Sequence, residues 1–147
     1  KSNSKLKTVK IGSNVKTIGS KAFYGCKKLT KVTIGSKVTT IGNSAFQNCT
    51  VLKSITIPSK VSKIGSKAFY GCKKLKNITI KTTKLTSKSV GSKAFKGTAV
   101  KAKVKVPKKS LKAYKKFLVK KGISKKAKIT KNVGRLKTEL ALRIVCR

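Results

Sequence analysis

Between Lys1 and Lys131 the sequence contains no aspartate, glutamate, arginine or histidine, and the chain's only acid is Glu139. Tryptophan and methionine are missing altogether, and there are two prolines. General acid–base chemistry needs a carboxylate pair, or a nucleophile beside a base, and neither can be assembled from this residue set. A lysine of lowered basicity could form a Schiff base, but nothing in the pattern marks one lysine out. The glycines do not stand in the GxxxxGK order of a phosphate-cradling loop. No enzymatic activity and no cofactor or metal site is therefore expected. No run of about 18 apolar residues occurs, so no membrane-crossing helix is expected either. The sequence opens in mid-pattern without methionine, which suggests a fragment or a processed product, so a missing signal peptide says nothing about export.

What the sequence has in excess is lysine. Forty Lys and Arg against one acid give a formal charge of +39. A charge this large governs solubility and partners more than fold. It predicts attraction to polyanions at low salt, among them teichoic acids, sulfated glycans, anionic lipid surfaces and nucleic acids. The alternative is that lysine simply fills solvated positions.

The second feature is repetition. IGSKAFYGCKKL runs from Ile18 to Leu29 and again from Ile64 to Leu75, 46 residues on, with a degenerate copy, IGNSAFQNCTVL, from Ile41 to Leu52. The period is 23 residues, the mark of a solenoid whose units bury their apolar sides only by stacking. Aligning Leu6, Leu29, Leu52 and Leu75 brings Val9, Val32, Ile55 and Ile78 into one column and Ile11, Ile34, Ile57 and Ile80 into another. Such alternation of β-branched residues reads as a short strand with one side in the core. Pro58 follows the third strand, where its missing N–H costs no ladder bond.

A second apolar pair follows each strand (Val15 and Ile18, Val38 and Ile41, Val61 and Ile64), then Gly19, Gly42 or Gly65. These glycines suggest a bend with a backbone angle other residues avoid. Ser20, Asn43 and Ser66 come next and read as N-caps of a short helical or 3₁₀ turn containing Ala-Phe. Gly25, Asn48 and Gly71 close that turn, and the exchange of glycine with asparagine points to a left-handed residue there.

The string LxxVTIxxxVxxIGxxAFxxCxxL resembles the BspA-type leucine-rich repeats of bacterial surface proteins, over roughly Leu6 to Thr130. The resemblance implies an α/β solenoid: a right-handed array of parallel strands with short helical turns. It also implies an extracellular or bacterial cell-surface location and a non-catalytic role in binding proteins or cells. An array of about four to five rungs is expected.

Toward the C-terminus the pattern changes. The interval from Ala68 to Ala94 is 26 residues rather than 23, and the extra residues fall in KTTKLTSKSV, predicting a looser bulge. Thr98 takes the cysteine column and Lys101 the leucine column. Val104 and Val106 give a last full strand. Ser110 then reads as the N-cap of an amphipathic helix over about 110–121, with Leu111, Tyr114, Phe117 and Leu118 on one face and Gly122 as terminator. That helix serves either as a lid over the open end of the stack or as a basic membrane-surface helix; similar endings in the resembling family favour the lid. An edge strand over Ala127 to Thr130 follows. Residues 1–131 thus form the array with its cap. Residues 132–147, which hold every arginine, Glu139 and Cys146, read as an atypical, poorly packed tail of separate origin.

Cys26, Cys49 and Cys72 recur every 23 residues, a spacing unlike any metal clip, and should be buried free thiols. Phe23, Phe46, Phe69 and Phe95 are core. Tyr24 and Tyr70 should point outward, to contact a ligand or cover a neighbouring turn. The candidate ligand-binding surface is the outward strand face, Lys31, Thr33, Ser54, Thr56, Asn77, Thr79, Lys103 and Lys105. The expected partner is a protein or an anionic glycan or polymer, with non-specific nucleic-acid binding at low salt. Base-specific reading is not expected, since arginine and an exposed aromatic series are absent from the repeats. A passive spacer would leave the face idle.

Overall fold

The computed structural model describes residues 5–133. The three-residue and four-residue runs with β-branched centres pair into one parallel sheet. It comprises β1 (Thr8–Lys10), β3 (Lys31–Thr33), β5 (Ser54–Ile57), β7 (Asn77–Ile80), β8 (Lys103–Val106) and β9 (Lys128–Lys131), in that order. Register follows the 23-residue repeat: Val9 stands opposite Val32, and Ile55 opposite Ile78. Where the repeat lengthens, Ile78 still faces Val104, because the extra residues are spent outside the sheet. The sheet's six strands are five rungs, β1 to β8, plus the edge strand expected after the helix, β9, beyond which the Asn132 N–H still donates to the Val106 carbonyl at 2.7 Å.

A second, shorter parallel sheet joins β2 (Thr17–Ile18), β4 (Thr40–Ile41) and β6 (Lys63–Ile64), with Val90 bridging to Ile64. The third side of each rung is a ladder of turns. Lys21, Phe23 and Gly25 donate their N–H groups to the carbonyls of Asn43, Ala45 and Gln47 in the next rung, and Ser44, Phe46 and Asn48 repeat this toward Ser66, Ala68 and Tyr70. The intervening N–H groups close turns inside the rung: Ala22 to Gly19, Tyr24 to Lys21 and Cys26 to Phe23. Lys21, Ser44, Lys67 and Lys93 take positive φ values of 57°, 55°, 55° and 53°, which stops a helix from starting. The helical turns expected in rungs one to three are therefore chained β-turns, and Ser20, Asn43 and Ser66 do not cap helices. Asn43 instead accepts the N–H of Ser66 across rungs at 2.9 Å. The left-handed closing residues are as expected, with φ of 68° at Gly25, 61° at Asn48 and 71° at Gly71.

Gly42, Gly65 and Gly91 answer to a different need from the bend expected for their column. None has positive φ; a Cβ on Gly42 would lie 2.6 Å from the Ser20 nitrogen, and one on Gly65 2.5 Å from the Asn43 nitrogen. Glycine is required because the previous rung's backbone passes where a side chain would stand.

The core is the sum of these columns. Phe23, Phe46, Phe69 and Phe95 stack at centroid distances of 5.2, 5.3 and 5.4 Å with planes tilted by 13°, 5° and 8°. These distances exceed the roughly 4.8 Å between strands, so the rings are offset. Phe46 and Phe69 are fully buried, each contributing about 1.5–3 kcal/mol of apolar burial. Cys49 donates its Sγ–H to the Phe23 carbonyl and Cys72 to the Phe46 carbonyl, both at 3.1 Å. All three column cysteines are buried and free.

At the C-terminal end, α1 (Leu111–Lys120) follows a 3₁₀ turn at Lys108–Ser110 and buries Tyr114, Phe117 and Leu118. Ser110 makes no side-chain capping bond, because the 3₁₀ turn already leads the chain into the helix. The Lys121 carbonyl accepts the Phe95 N–H, so the chain leaving α1 completes the turn ladder. The insertion before Val90 is tied down rather than loose: Thr82 is fully buried and Leu85 nearly so, and the Thr82 hydroxyl donates to the Val61 carbonyl at 2.6 Å. From Gly134 onward the tail, with its expected poor packing, lies outside the described residues.

Candidate functional site

The pleat sends alternate strand residues outward. One outward column runs Thr8, Lys31, Ser54, Asn77, Lys103 and Lys128, each set directly opposite the next. The second begins at Lys10 opposite Thr33 and continues through Thr56, Thr79, Lys105 and Thr130, in which Thr56 faces Thr79, Thr79 faces Lys105 and Lys105 faces Thr130. All eight candidate residues lie in these two columns, and all are exposed except Thr79, which is half-buried.

Successive residues in a column sit about 4.8 Å apart, and the two outward positions of one strand about 7 Å apart. The face is therefore a flat grid of polar side chains on a rigid sheet. Its centre, Thr33, Ser54, Thr56, Asn77 and Thr79, offers hydroxyls and an amide that both donate and accept. Cations stand at both ends: Lys10 and Lys31 toward the N-terminus, and Lys103, Lys105 and Lys128 toward the C-terminus. No carboxylate in residues 5–133 offsets them. Lys103 and Lys128 are direct cross-strand neighbours.

Thr8, Lys10, Lys128 and Thr130 belong to the same grid and were not among the candidates. The period alone would have added the first two. The last two follow α1, where no leucine or phenylalanine column announces another rung. Tyr24, 39% exposed, and Tyr70, half-buried, lie on the turn ladder away from this grid, two rungs apart.

A family model described as the BspA type leucine rich repeat region matches residues 2–133 in six copies. The chain belongs to the BspA-type leucine-rich repeat family. The six copies agree with the six strands of the main sheet. A crystal structure of a leucine-rich repeat protein from Bacteroides ovatus ATCC 8483, at 1.19 Å resolution, is similar over 88% of this chain, with 35% identity and a TM-score of 0.71. The chain spans 31% of the length of that protein. Comparison with curated proteins finds no match. The repeat architecture suggests a protein-interaction module. No helix among the described residues is long and apolar enough to cross a membrane.

Proposed function

We propose that this array is the binding module of a secreted or surface-attached bacterial protein, and that its ligand seats on the outward strand face. The observation that supports the reading is the grid itself: ten strand positions from Lys31 to Thr130 plus Thr8 and Lys10, held in register by a core that is fully buried behind the central strands, with a neutral hydroxyl-rich centre between two lysine ends. A rigid, pre-formed surface spends little on ordering when it binds. Its chemistry suits a protein surface with carboxylates spaced to reach both ends, or an anionic polymer lying along the array. The module acts by adhesion and needs no catalytic group.

The total charge supports a second reading, general polyanion binding that includes nucleic acid. In that case affinity follows the number of phosphates neutralised, with a slope near −0.9 in log K against log salt for each contact on duplex DNA. Affinity for heparin, duplex DNA and a neutral glycoprotein, each measured at low and physiological salt, separates the two. Retention of the glycoprotein alone at physiological salt, abolished by Lys31→Ala with Lys103→Ala and Lys105→Ala, supports the adhesion reading. Equal retention of heparin and DNA with a steep salt slope supports the polyanion reading. Loss of every ligand at physiological salt leaves a spacer and overturns both.

A further inference from the structure

Two rungs present the same set of side chains to solvent on the turn side, and the rung between them presents none of it. Residues 21–28 and 67–74 are identical, KAFYGCKK, whereas residues 44–51 of the intervening rung read SAFQNCTV. The Ala, Phe and Cys columns run unbroken through all three, so the difference is confined to the outside. Tyr24 and Tyr70 flank Gln47, and the pairs Lys27 with Lys28 and Lys73 with Lys74 flank Thr50 with Val51. The four lysines are exposed, while Gln47, Thr50 and Val51 are half-buried. Neither tyrosine packs on another aromatic ring, and neither its hydroxyl nor the Gln47 side-chain amide has a hydrogen-bond partner among the described residues.

The gap in charge is specific to this rung. Lys37 and Lys53 bracket fifteen residues without a cation, and nowhere else before Lys131 do more than six residues separate two lysines. Lysine that merely filled solvated positions would have filled this rung too, since Thr50 shares its column with Lys27 and Lys73, and Val51 with Lys28 and Lys74. The turn ladder fixes the spacing of the three rungs: the Gly25 N–H donates to the Gln47 carbonyl and the Asn48 N–H to the Tyr70 carbonyl, both at 2.8 Å. Each rung advances about 4.8 Å, so the two Tyr-Lys-Lys sets stand about 9.6 Å apart along the array. The result is a rigid strip on which an aromatic ring and a cation pair alternate with an uncharged amide and hydroxyl.

A ligand that fits this strip is linear, carries one negative charge in every second unit and offers an apolar face to an aromatic ring. A disaccharide unit of an extended β-linked glycan covers nearly the length of two rungs, about 9.6 Å. A pyranose ring has a face of C–H groups that packs on an aromatic ring, and a rim of hydroxyls that pair with amides and hydroxyls. Polymers charged on every unit, nucleic acid among them, would set charges against half-buried Gln47 and Val51, with no cation on that side of the rung. We propose that the turn side of the first three rungs binds an acidic polysaccharide in which charged and neutral sugars alternate. The charged sugars stack on Tyr24 and Tyr70 with their anionic groups toward the paired lysines, and the neutral sugar between them bonds Gln47 and Thr50. This surface is separate from the outward strand face, so the inference stands or falls independently of the reading above.

The test uses the full chain and three β-linked hexasaccharides: alternating uronate and N-acetylhexosamine (a hyaluronan fragment), uronate at every position (a polymannuronate fragment) and uncharged (a chitin fragment). At about 150 mM salt, where the Debye length is about 8 Å, the alternating glycan binds at least about tenfold more tightly than either of the others. Tyr24→Ala with Tyr70→Ala keeps the melting temperature and loses at least about tenfold in that affinity. Thr50→Lys with Val51→Lys, which copies the neighbouring rungs, erases the preference for the alternating glycan over the uniformly charged one. Lys31→Ala with Lys103→Ala and Lys105→Ala leaves all three affinities unchanged. No measurable binding of the alternating glycan, equal or tighter binding of the uniformly charged one by the parent, or affinity indifferent to the tyrosine variant overturns the proposal. Affinity lost only in the strand-face variant overturns it too and leaves the strand-face reading intact.

Discussion

The hydroxyl of Tyr114 donates to the carbonyl of Thr82 at 2.8 Å, joining the cap helix to the insertion that breaks the 23-residue period. The same oxygen accepts the Leu85 N–H at 3.2 Å, and the ring packs edge-on against Phe117 at 5.1 Å. Two irregular segments, each without a counterpart in the repeat, therefore stabilise one another. Removing the hydroxyl leaves a buried carbonyl and a buried N–H unsatisfied while the ring stays in place. Tyr114→Phe should cost about 1–3 kcal/mol, read as a lower denaturant midpoint with an unchanged slope.

Position in the stack decides what a glycine tolerates. Gly65→Ala places a methyl 2.5 Å from the Asn43 nitrogen and its Oδ1, and the rung must shift to admit it, at a cost of roughly 1–3 kcal/mol. Gly19→Ala holds the same column with nothing opposite it and should be neutral or slightly stabilising. Melting temperatures of the two single variants should differ by several degrees, and equal values would contradict the account of why this column is glycine.

These contrasts show what the sequence makes legible. The strand columns, the phenylalanine stack, the buried thiols and the outward grid each follow from one residue type recurring at one spacing, because a solenoid converts period directly into contact. The left-handed turn at Gly25, Asn48 and Gly71 was legible for the same reason. Roles that depend on the neighbouring rung's backbone were not. Gly42 reads as a flexible bend until Ser20 is seen beside it, and Asn43 reads as a helix cap until its Oδ1 is seen on Ser66. The insertion looked loose because its anchor, Tyr114, lies 32 residues beyond Thr82.

Thr98 stands in the cysteine column but does not repeat its chemistry. Cys49 and Cys72 donate to phenylalanine carbonyls of the rung before, whereas the Thr98 hydroxyl is buried with no hydrogen-bond partner. Thr98→Val keeps the shape and removes the unsatisfied group, which should raise stability by about 1 kcal/mol. A chemical denaturation midpoint below that of the parent would show that the hydroxyl is satisfied in solution.

Burial pushes the Cys49 thiol up from its ordinary 9.0 to about 12, with the neighbouring Cys26 adding to the shift, and raises Cys72 for the same reason beside Cys49. The Tyr114 phenol is also raised by burial, against the Leu85 N–H and the Ser110 hydroxyl, which favour its ionised form. A raised value means the folded state holds the proton more tightly than the unfolded one. The stabilisation is complete below about pH 9 and is lost as pH climbs through the folded values. Stability should fall between pH 9 and 12, and fall less in Cys49→Val with Cys72→Val. In a Cys146→Ser background, thiol labelling at pH 8 should proceed only as fast as the protein unfolds.

Lys103 sits directly between Asn77 and Lys128 on the outward face, so its nearest charged cross-strand neighbour carries the same sign. Like charges in directly opposed positions destabilise, and opposite ones contribute about 0.2–1 kcal/mol. Lys103→Glu replaces repulsion from Lys128 with attraction and introduces the first carboxylate on the grid. It should raise the melting temperature at low salt, and the gain should shrink as ionic strength rises and the Debye length falls to about 8 Å or less. The same variant should weaken any ligand that the lysine end of the face holds by charge. Stability and affinity would then move in opposite directions, an outcome that a purely structural role for Lys103 does not produce.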